Sequence, residues 1–191
     1  MELFASRGYF FCRYCGSFHF PDSAGDDGIK VLGASEGSLS CIVCDKPLSA
    51  ALMDGAHPVR YCSNCRGVLL ARKAFAAVVQ KRRAWATDPP APPVPFSAAD
   101  LDRNVRCPAC KVRMTTHPYY GPGNVVMDSC AACDLVWLDF GELKQIVGAP
   151  GSDRGSREVV ARDRTDLASK RWSVKDGPDA IDAIDLFLDL F

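Results

Sequence analysis

All ten cysteines of this chain fall in pairs of one spacing: Cys12 and Cys15 (CRYC), Cys41 and Cys44 (CIVC), Cys62 and Cys65 (CSNC), Cys107 and Cys110 (CPAC), and Cys130 and Cys133 (CAAC). Two thiolates on one tight turn can grip a single metal ion, at about 2.3 Å from each sulfur if the ion is zinc. Cysteines placed at random, or for a disulfide framework, would not all adopt one spacing. A thioredoxin-type active site uses one exposed pair at a helix N-terminus rather than repeated paired pairs. Metal is therefore the chemistry these residues point to.

The gaps between pairs sort them into sites. Seventeen residues separate Cys44 from Cys62, and nineteen separate Cys110 from Cys130. Both gaps lie within the roughly 15–20 residues of a four-thiolate zinc site. The spacing thus predicts two zinc ions, one on Cys41, Cys44, Cys62 and Cys65 and one on Cys107, Cys110, Cys130 and Cys133. A full tetrahedral thiolate shell leaves no place for substrate, so both sites read as structural.

The fifth pair stands apart. Cys12 and Cys15 with His19 offer three ligands for a third ion without an obvious fourth. Asp22, Asp26, Asp27, His57 or His117 are candidates, as are thiolates from a partner chain. Water in the fourth position would make the site resemble a catalytic zinc. In the alternative, His19 simply packs between Phe18 and Phe20. Pairing Cys12 and Cys15 with Cys41 and Cys44 would orphan Cys62 and Cys65.

The elements that must hold these knuckles are legible as a repeat. Cys62, Cys65, Val68, Leu70 and Phe75 correspond at a constant offset to Cys130, Cys133, Val136, Leu138 and Leu143, which marks an internal duplication. Asp54-Gly55 between Leu52-Met53 and Val59-Arg60-Tyr61 predicts a hairpin that carries one knuckle to the next. Gly121-Pro122-Gly123-Asn124 has the same role between Tyr119-Tyr120 and Val125-Val126-Met127. Each unit then reads as knuckle, strand, turn, strand, knuckle, helix. The first helix is expected over Val68–Trp85, with Ala71, Phe75, Val78 and Val79 on one face and Arg72, Lys73 and Arg83 roughly opposite. The second is expected around Phe140–Val147, before the Gly148-Ala149-Pro150 stop.

Between the units, residues 87–97 carry five prolines and read as a stiff spacer. Val159–Trp172 reads as helical, and the end, residues 179–191, as an acidic amphipathic helix carrying Asp179, Asp182, Asp185 and Asp189. The division is then an N-terminal segment 1–40, a first ribbon 41–86, a linker 87–99, a second ribbon 100–150 and a helical tail 151–191. The fold class expected is a small metal-stabilised α+β protein, tandem zinc ribbons of hairpin knuckles each followed by a helix, with a helical C-terminal tail. Units of about 40 residues bury too little apolar surface to fold alone, and bound zinc compensates.

Composition limits the partners. Lys+Arg and Asp+Glu are both 23 among 191 residues, so only a local patch can seek nucleic acid. One exists: residues 66–86 hold Arg66, Arg72, Lys73, Lys81, Arg82 and Arg83 and no acidic side chain. Neither a membrane span nor a secretory signal is expected, which with the reduced-thiol reading points to the cytoplasm. No Ser-His-Asp constellation, phosphate loop or dinucleotide fingerprint is present, so no small-molecule substrate is evident.

The stretch CPACKVRM followed by VVMDSCAACDLVWLDFGELKQIV resembles the transcription-factor-IIB-type zinc-finger family, a zinc ribbon with a C-P-x-C knuckle, a hairpin, a C-x-x-C knuckle and a tail G-x-W-L-D-x-G-E-L. Cys107, Pro108 and Cys110 match the first knuckle, Cys130 and Cys133 the second, and Trp137, Leu138, Asp139, Gly141, Glu142 and Leu143 the tail. Leu135 replaces the first tail glycine. The first unit deviates in reverse, keeping Gly67 but holding Leu69 in place of Trp, and Ala71, Lys73 and Ala74 in place of Asp, Gly and Glu. The resemblance implies the ribbon fold and bound zinc, and its family name places gene expression among the expected settings. It implies no activity.

Two functional readings follow. The first is a non-catalytic interaction or scaffold protein that presents zinc-stapled units to a protein partner, or to nucleic acid through the basic segment. The second is a zinc- or thiol-dependent enzyme or redox sensor working at Cys12, Cys15 and His19. The first needs no feature the sequence lacks. Two-cysteine, two-histidine DNA-binding fingers are weaker still, because their spacing is missing.

Overall fold

The computed structural model of the protein describes residues 1–4, 9–21, 27–34, 39–96 and 98–156. Three short strands near the N-terminus, β1 (Glu2–Phe4), β2 (Tyr9–Phe11) and β3 (Phe18–His19), pair antiparallel in that order. Next come β4 (Ile29–Ala34), β5 (Ser49–Met53), β6 (His57–Tyr61) and β7 (Val68–Ala71), which lead into α1 (Arg72–Trp85). After the proline-rich run and a single turn, α2 (Ala98–Leu101), follow β8 (Thr115–Pro118), β9 (Val126–Cys130), β10 (Leu135–Leu138) and α3 (Glu142–Gly148). The expected helices in the tail lie outside the described residues.

Both hairpins form where the turn residues predict them. Asp54 and Gly55 both take positive φ, the conformation that makes Asp-Gly a hairpin turn. At the second turn a Cβ on Gly123 would lie 2.8 Å from the Ile146 Cα, so glycine there lets α3 approach the hairpin.

Sheet dominates over helix, which corrects the expected hairpin-plus-helix units. Each ribbon has a third strand after its second knuckle, and these two strands, β7 and β10, pair antiparallel. One seven-stranded sheet results, in the order β4-β5-β6-β7-β10-β9-β8. The first helix accordingly starts at Arg72 and not at Val68. Val68-Leu69-Leu70 is a strand buried on both faces, and such a run has no polar alternation to distinguish it from the start of a helix.

The two faces carry different cores. Towards the helices, Val68, Leu70, Val136 and Leu138 join Ala51, Val59, Met127, Phe75, Val78 and Ile146. On the opposite face, Leu69, Leu135 and Trp137 join Leu48, Met114 and the buried cysteines. The alternation follows from the two-residue period of a strand.

The register of β7 on β10 obeys the duplication. Trp137 stands opposite Leu69, the residue the duplication equates with it, while Val136 faces Leu70 and Leu138 faces Val68. Exchanging each residue for its duplicate returns the same pairs, so the ribbons meet about a local pseudo-two-fold axis, as two copies of one protein would.

Candidate metal centres

Each knuckle is the same small turn. In the first ribbon the Cys41 N–H donates to the Lys46 carbonyl at 2.8 Å, and the Asp45 N–H to the Cys41 carbonyl at 3.0 Å. The turn at Cys62 repeats this with Gly67 and Arg66, and the turn at Cys107 with Val112 and Lys111. The residue after each second cysteine, Asp45, Arg66, Lys111 or Asp134, has φ between 53° and 62°. That left-handed residue reverses the chain so that both sulfurs point to one side.

The turns bring four sulfurs together twice. The Sγ atoms of Cys41, Cys44, Cys62 and Cys65 lie within 4.8 Å of one another, and so do those of Cys107, Cys110, Cys130 and Cys133. Across each site, Cys41 and Cys65 approach to 3.4 Å, Cys44 and Cys62 to 3.5 Å, and Cys110 and Cys130 to 3.6 Å. Four sulfurs at about 2.3 Å from a tetrahedral ion would stand about 3.8 Å apart, so both groups fit a zinc ion after a small expansion. The Val43 N–H points at the Cys41 sulfur from 3.4 Å, placing a donor beside negative sulfur.

Hydrogen bonds among the sulfurs of the first group single out one thiol as the first to ionise. A hydrogen bond from Cys41 draws the Cys62 thiol far down, while hydrogen bonds to the neighbouring sulfurs push Cys41 and Cys65 up. Cys62 loses its proton first, and Cys41 and Cys65 keep theirs because they hydrogen-bond to the sulfurs beside them and are buried. In the second group Cys110 is lowered to about 7, chiefly by the Val112 backbone N–H, and burial raises Cys133 to about 12. A divalent ion releases the remaining protons.

Residues 106–149 match the transcription factor zinc-finger family. The matched span is the second ribbon with its four cysteines, and the first ribbon is tied to this zinc finger by the duplication and by the same turns. No curated protein and no solved structure matches the chain.

The zinc-finger tail is a latch. The buried Trp137 donates its indole N–H to Asp139 Oδ1 at 2.8 Å, and the Asp139 backbone N–H donates to Glu142 Oε2 at 2.8 Å. Gly141 between them has φ of 88°, which admits glycine readily and closes the turn into α3. Arg103 completes the cluster, 2.6 Å from Asp139 and 3.3 Å from the fully buried Asp128, whose other oxygen accepts from Thr116 at 2.5 Å. Sequence reading found Asp139 and Glu142 through the tail motif. It missed Arg103 and Asp128, which stand in no motif and are joined only by the fold.

The first ribbon lacks this latch, and the two ribbons have traded parts. A Cβ on Gly67 would lie 2.2 Å from Trp137, so the glycine kept by the first ribbon makes room for the tryptophan kept by the second. In the reciprocal position, Leu135 and Leu69 are both buried in the core on the cysteine face.

The candidate third site lies on the three-stranded sheet, where Cys12 and Cys15 sit in the turn between β2 and β3. Among the described residues no third thiol, imidazole or carboxylate closes on Cys12 and Cys15 as the ribbon cysteines close on one another. His19 is exposed on β3 opposite Phe10. Of the other candidates, His117 is held by Ser129 and the Pro118 carbonyl, His57 opens β6, and Asp27 offers its carbonyl to Arg82. Asp22 and Asp26 lie outside the described residues. The Cys15 thiol is lowered to about 7 by its hydrogen bond with Ser17.

The basic segment is largely drawn into the fold. Arg72 pairs with Asp134 at 2.9 Å, and Arg82 with Asp54 at 2.8 Å. Arg66 lies over the Phe20 ring at 4.2 Å and near Phe140 at 5.3 Å. Arg83, expected opposite the apolar face, is fully buried and reaches the carbonyls of Ile146 and Ala149 and the Asp153 carboxylate. Positions 75, 79 and 83 follow one another by four, so Arg83 shares the stripe of Phe75 and Val79. Lys73 and Lys81 make no ion pair among the described residues. No described helix is long and apolar enough to cross a membrane.

Proposed function

We propose that the protein is a zinc-stabilised, non-catalytic interaction protein, in which each ribbon holds one zinc ion and the fused pair offers a fixed surface to a protein partner. The observation that carries this reading is the closure of both four-sulfur groups. Zinc in a complete thiolate shell neither changes oxidation state nor offers a coordination position, so what it supplies is cross-linking of the turns that hold it. Beside the second centre, Asp139 and Glu142 are engaged in the latch with Trp137.

A protein partner is favoured over nucleic acid because Arg66, Arg72, Arg82 and Arg83 already have partners within the fold. Phosphate contacts depend on clustered cations with free hydrogens. Elemental mass spectrometry on protein purified without chelator should give at least one zinc ion for each ribbon, and serine in place of one cysteine in each ribbon should remove those two. Titration of labelled duplex DNA and RNA at about 150 mM salt should show binding no tighter than the sequence-independent range of roughly 10⁻⁴–10⁻⁶ M. Binding well below that range would replace the protein partner by nucleic acid.

A further inference from the structure

The turn at Cys12 and Cys15 is a metal knuckle without a facing knuckle. The Cys12 N–H donates to the Ser17 carbonyl at 2.9 Å and the Gly16 N–H to the Cys12 carbonyl at 2.8 Å, the same pair of bonds that shapes the ribbon turns. Gly16 follows the second cysteine with φ of 67°, as Asp45, Arg66, Lys111 and Asp134 do in their turns. In the ribbons every such turn meets a second one, and Cys41, Cys62, Cys65, Cys107 and Cys130 are buried there. Here Cys15 is exposed and Tyr14, at the tip of the turn, is 99% exposed.

Among the described residues nothing of like chemistry faces it. The other eight cysteines are consumed in the two ribbon groups, and the three histidines stand elsewhere or apart from the pair. The segments outside the described residues contain neither cysteine nor histidine. The turn is nonetheless anchored to the rest of the fold. It joins β2 to β3, whose sheet is seated on the body by Tyr9 and Phe20 against Phe140, with the Phe20 and Phe140 rings 4.6 Å apart. Beside it stand exposed Leu3 on β1 and an ion pair between Arg13 and Glu2 at 2.6 Å.

From this unmatched fifth knuckle we infer a metal site shared between two copies of the chain, with Cys12 and Cys15 of each supplying a four-thiolate shell for one zinc ion. The inference rests on the reading of the ribbons as zinc centres, because it transfers their donor set to the fifth turn. A second copy is the occupant that the composition favours. It brings an identical two-thiolate turn, and an isologous pair about a two-fold axis places the four sulfurs with no other donor required. The ribbons already show that two such turns face to face bring four sulfurs within 4.8 Å of one another.

Native mass spectrometry and sedimentation of the full chain, loaded with zinc under a phosphine reductant so that no disulfide links the copies, test the inference. The expected species is a dimer carrying five zinc ions, two for the ribbons of each chain and one shared. Cys12→Ser combined with Cys15→Ser should give a monomer that keeps its two ribbon ions, which also reports that the fold survives. A wild-type monomer with two ions, or one with three ions completed by carboxylates of its own chain, would overturn the inference. So would a dimer that the double substitution leaves intact with its metal count unchanged. A double variant that bound no zinc at all would remove the ribbon reading itself.

Discussion

Gly67 and Trp137 are informative at the residue scale because each explains the other across the ribbon boundary. Gly67 does not carry the positive φ that would explain it as a turn residue, and its constraint is the indole that occupies the space of a side chain. Gly67→Ala should destabilise the protein by about 1–3 kcal/mol in chemical denaturation, the usual cost of overpacking a core. Trp137→Leu should cost about 3–5 kcal/mol, near the range for truncating a buried aromatic, since it also removes the indole donor from Asp139 Oδ1. Combined, the two changes should cost less than the sum of their separate effects, by roughly 0.5–3 kcal/mol, because a smaller side chain at 137 leaves room for the new methyl. Strict additivity would show that the two residues do not meet. Gly141 is constrained differently: its φ of 88° makes Gly141→Ala costly by about 1–2 kcal/mol through the backbone alone.

Among the elements, α1 and α3 are joined by one buried cation. Arg83 donates to the carbonyl of Ile146 at 2.6 Å and of Ala149 at 2.9 Å, where the end of α3 has carbonyls without helical partners, and its other nitrogens hold Asp153. Arg83→Leu should lower stability by about 2–4 kcal/mol in urea denaturation. Arg83→Lys should not restore it, because an ammonium cannot serve carbonyls and carboxylate in the same fork. The Asp153 carboxyl is held below its ordinary value chiefly by the hydrogen bond from Arg83. Its folded pKa is depressed, so its stabilisation is present at neutral pH and is lost as pH falls below the ordinary carboxylate range. Asp153→Asn should therefore flatten the acid end of the stability profile. These elements also show where sequence reading reached its end. Knuckles and hairpins were legible because cysteine spacing and Asp-Gly turns are local signals. Strands β7 and β10 were not, because a run apolar on both faces has no period to read, and what makes it a strand is its pairing 68 positions away in the duplicate. Arg83 was assigned to the solvent side because a long basic stretch hides the four-residue spacing that places it beneath Phe75 and Val79.

For the whole molecule, the pairing of β7 with β10 joins the two four-cysteine groups through one continuous sheet. The spacing alone describes two stapled units on a proline-rich connection, and such units would unfold separately. In the structure the core below the helices draws on both ribbons, and the proline-rich run is pinned to the second, with the Ala91 N–H on the Gly148 carbonyl at 2.9 Å and Asn124 on the Val94 carbonyl at 3.1 Å. Losing zinc from one ribbon should therefore loosen the strand that the other ribbon needs. Cys130→Ser leaves a three-sulfur group in the second ribbon and touches no residue of the first group. Calorimetry of the fully zinc-loaded wild type should give one transition, and Cys130→Ser should weaken zinc retention at Cys41, Cys44, Cys62 and Cys65 as well. Lowering the pH should release both ions over one range, since protons compete for the same thiolates and the fold couples the two competitions. Two separate releases, or a Cys130→Ser protein whose first ribbon held zinc as firmly as before, would mean that the shared sheet transmits nothing between the centres.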